Sequence, residues 1–480
     1  MNVVGLGMRA RFESSNVALH TEIQRNYPTP RSFRRPGWLP TLPKRGGSRR
    51  HAGKLAALWL LLVLGCRPAP RTPTVVEFWA MGREGEVVQN LVPAFERRVP
   101  GIRVRVQQIP WSAAHEKLLT AYVGDAMPDV FQLGNTWIPE FVALDALEPL
   151  DTRIGGSAAV AVQDYFPGIL DTNVIDGTTY AVPWYVDTRL LFYRTDVLQQ
   201  EGYAEPPGTW AQWLEAMRRI QQRGAAHYAI FVPSSEWQTP VILALQLGAS
   251  LLRDHDQYGN FRSPPFRTAF EFYVDWYRAG LAPRNGEAQV ANLYQDFANA
   301  YFALYISGPW NIGEFSRRLP AAMADRWSTA PLPGPDDRHP GVSVAGGASL
   351  AICRKSPRQD AAWKWIEYLS EPAQQVEFYR LTGDLPSRRA AWADRALAEN
   401  RYAQAFWKQL QHVRSTPKIP EWERIANRVV ESADAAIRGT LTIDQALVAL
   451  DQDVDALLEK RRWLLRRSGA TTTGTADEPS

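Results

Sequence analysis

The chain has 480 residues, with 54 basic and 50 acidic side chains and a formal net charge of +4. So small a charge over this length excludes a strongly basic nucleic-acid-binding protein, and the two cysteines, Cys66 and Cys353, exclude a disulfide framework or a cysteine-rich zinc module. A hydrophobic content of 45% and a charged content of 22% are typical of a globular chain, whose length predicts about three folding units or two large ones.

Residues 1–48 are rich in Arg, Pro and Ser and have no sustained apolar periodicity. They are predicted to be a non-native or disordered extension outside the fold. Residues 5–10 (GLGMRA) match a dinucleotide-binding fingerprint by letter. That fingerprint needs a strand before it, and a helix and an acidic residue after it. Charged, Pro-rich sequence follows instead, so we interpret the match as accidental.

The next segment resembles a bacterial lipoprotein signal. Residues 55–64 are apolar, and at about 1.5 Å per residue they are too short to cross a bilayer core of about 30 Å. Basic residues precede this run and Cys66 follows it, so residues 49–66 are predicted to be a lipoprotein-type signal segment with acylation at Cys66. Leu64 stands where the usual pattern has a small residue, and a buried helix that ends in Cys is the alternative. The Pro-rich residues 67–73 are predicted to form a stiff tether.

From residue 74 onward, strand-like and helix-like segments alternate. Strands are predicted at residues 74–79, 102–109, 129–133, 188–193 and 228–232. Helices are predicted at residues 86–98, 112–123, 210–222 (with Thr209 as N-cap), 240–247, 265–278, 359–369, 425–437 and 444–461. Residues 466–480 are predicted to be a disordered tail.

The first five of these segments have the order βαβαβ, which predicts an α/β fold with an open sheet and helices on both faces. Ligands of such sheets bind beyond the carboxyl ends of the strands. The loops after Trp79 and after Leu133 are therefore candidate ligand loops.

Four stretches in this order carry a family resemblance. They are residues 124–130 (GDAMPDV), residues 180–184 with 191–196 (YAVPW, FYRTD after Leu191), residues 307–312 (SGPWNI), and residues 346–352 with 361–365 and 383–388 (GGASLAI, AAWKW, GDLPSR). Through them the chain, from residue 74 to about 465, resembles the extracellular solute-binding proteins of ABC importers. The similarity is to the carbohydrate-binding family that includes maltose- and trehalose/maltose-binding proteins.

The resemblance implies a two-lobed periplasmic-binding-protein fold, in which each lobe is a mixed sheet flanked by helices and one ligand lies in the cleft between the lobes. The implied segments are residues 74–183 plus 345–383 for lobe one, residues 188–340 plus 388–465 for lobe two, and hinges near residues 184–187, 341–344 and 384–387. Gly and Pro in the hinges suit backbone angles that differ between open and closed states.

A sugar site needs flat aromatic rings for the C–H face of a sugar ring and planar polar groups for its hydroxyls. The ligand-binding residues that the resemblance implies are Glu84, Asn135, Trp137, Trp184, Tyr185, Asp187, Arg189, Glu236, Trp237, Trp310, Gly346, Gly347, Arg388 and Trp422. Trp310 matches the family's stacking tryptophan, and Asp187 matches a carboxylate that binds a hydroxyl, with Arg189 as its ion-pair partner or a second ligand group. The two glycines would let backbone N–H groups approach the ligand.

Alternatives stay open for several of these residues. Trp184 and Tyr185 line the cleft or pack the hinge, Glu84 binds a hydroxyl or is a solvated acid, and Arg388 reaches the ligand or solvent. Asp129 is expected to have a structural role.

The predicted function is a receptor, not an enzyme, with no cofactor and no metal. Its predicted partners are a di- or oligosaccharide, the transmembrane permease subunits of an ABC importer, and the membrane through a lipid on Cys66. No nucleic acid is expected, and the chain is expected to be a monomer in the cell envelope that faces the periplasm or the exterior.

Two alternatives remain, a glycoside-acting enzyme that uses cleft carboxylates such as Glu84 and Asp187, and a binding protein for a non-sugar solute. Residues 341–345 (GVSVA) nearly match a nucleophile elbow, but Ala stands in the fifth position.

Overall fold

The computed structural model describes residues 72–284 and 292–472. The predicted extension at residues 1–48 with its fingerprint-like stretch, the signal segment at residues 49–66 with Cys66, and residues 67–71 of the tether lie outside the described residues, as do residues 473–480. In the part of the chain that is described, no helix combines the length and the apolar character needed to cross a bilayer.

Strands account for much of the first two thirds of the described chain. They are β1 Thr74–Met81, β2 Ile102–Ile109, β3 Val130–Gly134, β4 Val174–Ile175, β5 Thr178–Thr179, β6 Val182–Asp187, β7 Leu190–Arg194, β8 Tyr228–Phe231, β9 Leu252–Arg253, β10 Tyr258–Gly259, β11 Phe302–Ser307, β12 Trp327–Ala330, β13 Ser343–Val344, β14 Gly346–Ile352, β15 Leu385–Pro386 and β16 Val413–Arg414.

Helices separate the strands and make up most of the C-terminal part. They are α1 Gly82–Val87, α2 Val92–Arg98, α3 Trp111–Val123, α4 Ile138–Ala143, α5 Asp151–Gly155, α6 Pro167–Asp171, α7 Thr195–Gln200, α8 Trp210–Gln222, α9 Gln238–Gln246, α10 Pro264–Arg278, α11 Leu293–Ala298, α12 Trp310–Arg318, α13 Gln359–Ser370, α14 Pro372–Thr382, α15 Arg395–Ala398, α16 Arg401–Leu410, α17 Trp422–Arg438, α18 Ile443–Leu457 and α19 Glu459–Thr472. Short 3₁₀ turns occur at Val88–Asn90, Asn135–Trp137, Val162–Asp164, Ala321–Met323 and Arg389–Ala393.

The larger sheet has six strands in the order β15-β6-β14-β3-β1-β2. Strand β1 is parallel to both β2 and β3, whereas β14 is antiparallel to β3 and β6. The predicted βαβαβ unit is therefore confirmed, and the sheet is mixed because the later strands join it in the opposite direction.

The second sheet has four strands in the order β12-β7-β11-β8. Strand β11 is parallel to β8 and antiparallel to β7, and β7 is antiparallel to β12. The chain passes from the first sheet to the second between β6 and β7 and returns to the first at β14. The sheets are the centres of the two lobes, and the lobe and hinge boundaries drawn from the sequence stay predictions.

Each sheet is covered by apolar side chains on both faces. In β7, Leu191 packs in one hydrophobic cluster and its neighbour Phe192 in another, and in β11 Leu304 and Tyr305 divide in the same way. In β3 of the first sheet, Val130 and Phe131 divide in the same way. Because successive side chains of a strand point to opposite faces, these clusters place helices on both faces of each sheet, as predicted.

Two sequence-predicted elements need correction. The loop predicted after Trp79 does not form, because β1 continues to Met81 and α1 begins at Gly82, whose φ of +48° glycine adopts without strain. The tail predicted to be disordered from residue 466 is helical as far as Thr472, at the end of α19.

Two polar residues have the structural roles expected of them. Thr209 caps α8 in a capping box with Gln212, so each side chain pairs with the other's backbone N–H. The Asp129 carboxylate accepts hydrogen bonds from the Glu77 amide, the Ser356 hydroxyl and the Arg358 guanidinium at 2.6–2.8 Å, and it is 2% exposed. Asp129 therefore holds β1 and the start of β3 against the segment after β14.

Thr209→Ala is expected to lower the free energy of unfolding by about 1 kcal/mol, because the first turn of α8 loses a hydrogen-bond acceptor. The measurement is urea unfolding monitored by circular dichroism. Thr209→Ser is the control, since it keeps the hydroxyl and should stay close to wild type. Equal losses in both variants would show that the methyl group, not the cap, stabilises the helix.

Candidate functional site

A cleft of about 620 Å³ lies where residues of both sheets meet, within the range of about 300–1,000 Å³ that ligand pockets occupy. Its wall combines aromatic rings, carboxylates and backbone. The lining residues are Arg83, Glu84, Trp111, Gly134, Asn135, Thr136, Trp137, Tyr185, Val186, Asp187, Arg189, Trp237, Gln238, Pro309, Trp310, Val344, Ala345, Gly346, Gly347, Asp384 and Glu423.

The strand directions explain why these residues meet. Glu84, Trp111 and Asn135 follow the carboxyl ends of β1, β2 and β3, which are parallel and so end at one edge of the first sheet. Trp237 and Trp310 follow the carboxyl ends of β8 and β11, which are parallel in the second sheet. In each lobe, the edge of the sheet at which the parallel strands end therefore forms part of the cleft wall.

Ten of the predicted ligand residues line the cleft. They are Glu84, Asn135, Trp137, Tyr185, Asp187, Arg189, Trp237, Trp310, Gly346 and Gly347.

The other four predicted residues lie elsewhere. Trp184 is 1% exposed and stacks on Phe378, with ring centroids 4.4 Å apart, so it packs the core beneath the first sheet. Arg388 is 5% exposed and its guanidinium binds Asp164 at 2.8 Å and the Ser370 carbonyl at 3.0 Å, away from the cleft.

Trp422 and Glu236 stand behind the cleft wall. The Trp422 ring is fully buried and supports the edge of Trp237 at a centroid distance of 5.2 Å. The Glu236 carboxylate lies 3.6 Å from Nη2 of Arg189. Both therefore position residues that line the cleft and do not line it themselves.

The two most exposed rings of the cleft belong to Trp111 and Trp310, each 38% exposed although large aromatic side chains are usually buried. Trp111 begins α3 in the first lobe and Trp310 begins α12 in the second. The cleft therefore presents one accessible indole from each lobe.

A glycine lies against each of these indoles. A Cβ atom at Gly308 would stand 1.9 Å from the Trp310 ring, and one at Gly82 would stand 2.7 Å from the Trp111 ring. Such distances are far inside van der Waals contact, so neither ring could keep its position beside a larger residue. The guanidinium of Arg189 lies over the Trp310 ring at 4.7 Å from its centroid, a cation–π contact that holds the second indole.

Hydrogen bonds hold the Glu84 carboxylate in the first lobe. The Tyr185 hydroxyl donates to Glu84 at 2.7 Å, and the Trp111 indole N–H donates to the same carboxylate at 3.3 Å. Gln132 donates to the Tyr185 hydroxyl at 3.1 Å and accepts from the Met81 amide at 2.8 Å. This chain of bonds fixes Glu84 at the edge of the sheet.

Burial opposes the charge of two cleft carboxyl groups. Glu84 and Asp384 are each 8% exposed. Burial raises the pKa of Glu84, and burial together with the nearby charge of Glu84 raises the pKa of Asp384 well above its usual range.

The segment at the first lobe crossing brings a charge pair into the cleft. Nη1 of Arg189 lies 3.0 and 3.1 Å from the two carboxylate oxygens of Asp187. The buried hydroxyl of Ser343 donates to the Arg189 carbonyl at 2.8 Å and accepts from the Arg189 amide at 3.2 Å. Ser343, the serine of the elbow-like stretch, therefore fixes the lobe crossing.

Asn135 lines the cleft and carries a buried, unpaired donor. Its side chain is buried and its Oδ1 accepts from Ser349 at 2.9 Å, whereas its Nδ2 has no partner among the described residues. A buried amide N–H without a partner is energetically costly, so Asn135 is an unsatisfied polar group beside the cleft.

Gly347 in the cleft wall is required by the backbone, for a reason that the sequence did not indicate. Gly347 has a φ of +126°, and a Cβ atom there would lie 2.3 Å from the Tyr185 carbonyl oxygen. Glycine is needed at residue 347 for the close approach of β14 to β6.

Several lining residues were missed by the sequence analysis. Trp111 could have been found, because it directly follows the carboxyl end of β2, and Asp384 lies in a predicted hinge. Thr136 and Glu423 could not, since their hydrogen bond joins residues 287 positions apart and brings α17 to the end of β3.

Asp384→Asn is expected to raise the free energy of unfolding at pH 7. A carboxyl group whose pKa is higher in the folded protein than in the unfolded chain stabilises the fold only at low pH, and that stability is lost as the pH rises through the folded pKa. The gain should shrink as the pH is lowered toward 4.

Urea unfolding between pH 4 and pH 8 measures this difference. Asp325→Asn is the matched control, because the Asp325 side chain is 94% exposed and its replacement should give no pH-dependent gain. A destabilised Asp384→Asn at pH 7 would contradict the assignment of an unfavourable buried charge to this residue.

The family model of the bacterial extracellular solute-binding proteins matches residues 81–376. The structure of the sugar-binding protein MalE from Xanthomonas citri is 50% identical, covers 82% of this chain and 99% of its own, and has a TM-score of 0.79.

More distant binding proteins also match most of the chain. The diacetylchitobiose binding protein DasA of Streptomyces coelicolor is 26% identical over 340 residues, which are 70% of this chain and 78% of DasA. The GacH receptor of Streptomyces glaucescens, at 23% identity and a TM-score of 0.69 over 81% of this chain and 99% of its own, shares the fold. The chain belongs to the bacterial extracellular solute-binding protein family.

Proposed function

We propose that this chain is the substrate-binding receptor of an ABC importer and captures a di- or oligosaccharide in the cleft between its lobes. The observation that carries the proposal is the pair of accessible indoles, one from each lobe, in a cleft whose polar groups include carboxylates and amides. Indoles cover the C–H face of a sugar ring, and carboxylates and amides pair with its hydroxyls.

The relatives support a sugar as the ligand. The structure at 50% identity is described as a sugar-binding protein, and DasA is named for diacetylchitobiose. These descriptions share a sugar ligand, so they support a sugar as the class of ligand for this chain.

Capture is proposed to work through closure of the lobes. A ligand that contacts both lobes favours the state in which both sets of contacts are made at once. In the structure the lobes already meet beside the cleft, where the Thr136 hydroxyl bonds to Glu423. The closed receptor would then deliver its sugar to the permease subunits, while a separate ATPase drives uptake.

Catalysis is not part of the proposal. The Glu84 carboxylate is held by Tyr185 and Trp111, and the Asp187 carboxylate is paired with Arg189, so partners fix the position of both carboxylates. A glycosidase needs a pair of carboxyl groups that flank the scissile bond, one as general acid and one as nucleophile or base. The family is one of binding proteins, which supports the same view.

Trp310→Ala is expected to weaken sugar binding by about 2 kcal/mol or more, the usual cost of removing a central aromatic anchor. A thermal-shift screen over neutral disaccharides first identifies a ligand by its stabilisation of the native protein. Isothermal titration calorimetry of wild type and variant with that sugar then measures the loss.

The matched control is Trp463→Ala, which removes an indole that is 48% exposed on α19, outside the cleft lining. Its affinity should equal that of wild type. Unchanged affinity in Trp310→Ala would contradict the stacking role, and the absence of any sugar ligand in the screen would contradict the proposed function.

The location is proposed to be the cell envelope, with the receptor held at the membrane by a lipid on Cys66 and facing the periplasm or the exterior. The lipoprotein-like residues 49–66 support this proposal, and they lie outside the described residues. The receptor is proposed to act as a monomer, and the presence of residues from both lobes of one chain in the cleft lining supports this proposal.

Cys66→Ser is expected to move the protein from the membrane fraction to the soluble fraction, because serine has no thiol for the lipid. Fractionation of cells that express the full chain, followed by immunoblotting, measures the distribution. Cys353→Ser is the control, since Cys353 is buried in the fold and its replacement should leave the protein at the membrane. A Cys66→Ser protein that stays in the membrane fraction would refute the anchor.

A further inference from the structure

The last described helix, α19, exposes basic and large apolar side chains together. Residues 460–467 have the sequence KRRWLLRR, in which five residues are basic, three are apolar and none is acidic. Trp463, Leu464 and Leu465 are 48%, 49% and 40% exposed, whereas exposed apolar residues of this size usually occur singly. The surface of α19 is therefore cationic and apolar at once.

The charge of the whole chain is concentrated here. The 14 residues of α19 include the five basic residues of this stretch and one acidic residue, Glu459, so their side chains carry a net charge of 5 − 1 = +4. This equals the net charge of the whole chain, in which basic and acidic residues otherwise balance. Such a local excess attracts an anionic partner.

Arg462 holds one side of α19 against the second lobe. Its guanidinium donates to the Gln257 carbonyl at 2.9 Å and to the Asp455 carbonyl at 2.8 Å, and it lies 4.6 Å from the centroid of the Tyr258 ring. Arg462 therefore faces the hairpin of β9 and β10. Because successive helix residues are about 100° apart, Leu464 lies about 200° further round, on the outer side of α19.

Basic side chains flank Leu464 on this outer side. Lys460 precedes it by four residues and Arg467 follows it by three, and such residues are neighbours on a helix surface. The Arg467 guanidinium lies 4.6 Å from the centroid of the Trp463 ring, so an indole and a guanidinium share the outer side. Lys460 and Arg466 are exposed and form no ion pair with another described residue, so their charges are available to a partner.

A bilayer surface with anionic headgroups has chemistry complementary to both kinds of side chain. Lys and Arg reach the phosphates on long apolar stems, while Trp and Leu enter the boundary between headgroups and acyl chains. A nucleic acid would pair with the charges and leave the exposed leucines in water. At about 21 Å, α19 is too short to span a bilayer core of about 30 Å, so it would lie on the surface.

The proposed anchor would keep α19 near such a surface. Residues 67–73 join Cys66 to the first strand and span about 25 Å at most. A short tether gives a high effective concentration, so even a weak contact between the folded body and the bilayer would be populated. This step alone rests on the proposed lipid at Cys66.

We propose that α19 is a membrane-contact helix that binds an anionic bilayer surface, with Lys460, Arg466 and Arg467 at the phosphates and Trp463 and Leu464 at the acyl boundary. The inference is separate from the sugar site, because no residue of α19 lines the cleft. It gives the receptor a second attachment to the membrane, which would restrict how the tethered body turns.

The first experiment places an environment-sensitive fluorophore on the outer side of α19. Leu464→Cys is labelled with NBD in the full chain that carries Cys66→Ser and Cys353→Ser, so that neither a lipid nor a second thiol is present. Vesicles of phosphatidylglycerol and phosphatidylcholine are compared with vesicles of phosphatidylcholine alone. The control is the same label at Val123→Cys, because Val123 is 85% exposed in the first lobe.

The label at residue 464 is expected to shift to the blue and brighten at least two-fold with anionic vesicles only, whereas the label at residue 123 should not respond. Because the signal is local, insertion of the apolar residues 55–64 into the vesicle would not produce this difference. No response at residue 464, or equal responses at both residues, would overturn the proposal.

The second experiment removes the charges in the labelled Leu464→Cys chain. Lys460→Gln/Arg466→Gln/Arg467→Gln should lower the response at least three-fold at a fixed lipid concentration, since each basic residue near an anionic surface contributes to binding. Lys460→Arg/Arg466→Lys/Arg467→Lys keeps the charges and should keep the response.

The matched control removes three exposed guanidinium groups outside α19. It is Arg98→Gln/Arg318→Gln/Arg395→Gln, whose side chains are 60%, 62% and 86% exposed, and it should respond like the parent chain. Equal losses in this control and in the α19 charge variant would overturn the assignment to α19, because they would show a general effect of net charge.

Sedimentation of the unlabelled Cys66→Ser chain without vesicles tests the other occupant of this surface, a second copy of the chain. A monomer is expected. Dimers that Leu464→Ser abolishes would overturn the membrane proposal and assign the surface to self-association. Calorimetry with the sugar found in the screen should give the same affinity for the α19 charge variant and wild type, so failure of the membrane contact leaves the proposed sugar receptor standing.

Discussion

The direction of the parallel strands is the constraint on which the site depends. In the first sheet β1, β2 and β3 end at the same edge, and in the second sheet β8 and β11 do so. The residues that follow these ends, such as Glu84 and Trp310, therefore line one cleft although more than 200 positions of sequence separate them. A strand reversed in either sheet would carry its ligand residue to the opposite edge.

Around that edge, contacts with neighbouring elements hold the cleft residues in place. Glycines at residues 82 and 308 leave room for the exposed indoles, and the hydrogen bond from Tyr185 holds Glu84. Residues expected to touch the ligand, such as Trp422, instead support the wall from behind. The site is therefore preorganised, so less conformational entropy is lost when a ligand binds.

The fold could be predicted from the sequence because its signals are local. Strand and helix periodicity and the Thr209 cap depend on residues close in the chain, and α8 has the predicted bounds. Ten of the ligand residues predicted from the family resemblance line the cleft, and their contact with a ligand stays a prediction. The errors arose where tertiary contacts decide: Trp184 and Arg388 match the family pattern, but Phe378 and Asp164 hold their side chains in the core. The bond between Thr136 and Glu423 has no local signal at all.

The buried carboxyl groups of the cleft are the part of the structure that stability alone does not explain. A fold selected only for stability would not leave Asp384 beside Glu84 with its pKa raised, because each charge disfavours the other and neither is well solvated. Strained or unsatisfied groups collect where a protein binds its ligand, and the unpaired Nδ2 of Asn135 in the same wall fits this pattern. Buried carboxyl groups and an unpaired amide donor in one wall of the cleft are complementary to a ligand rich in hydroxyl groups, which both donate and accept.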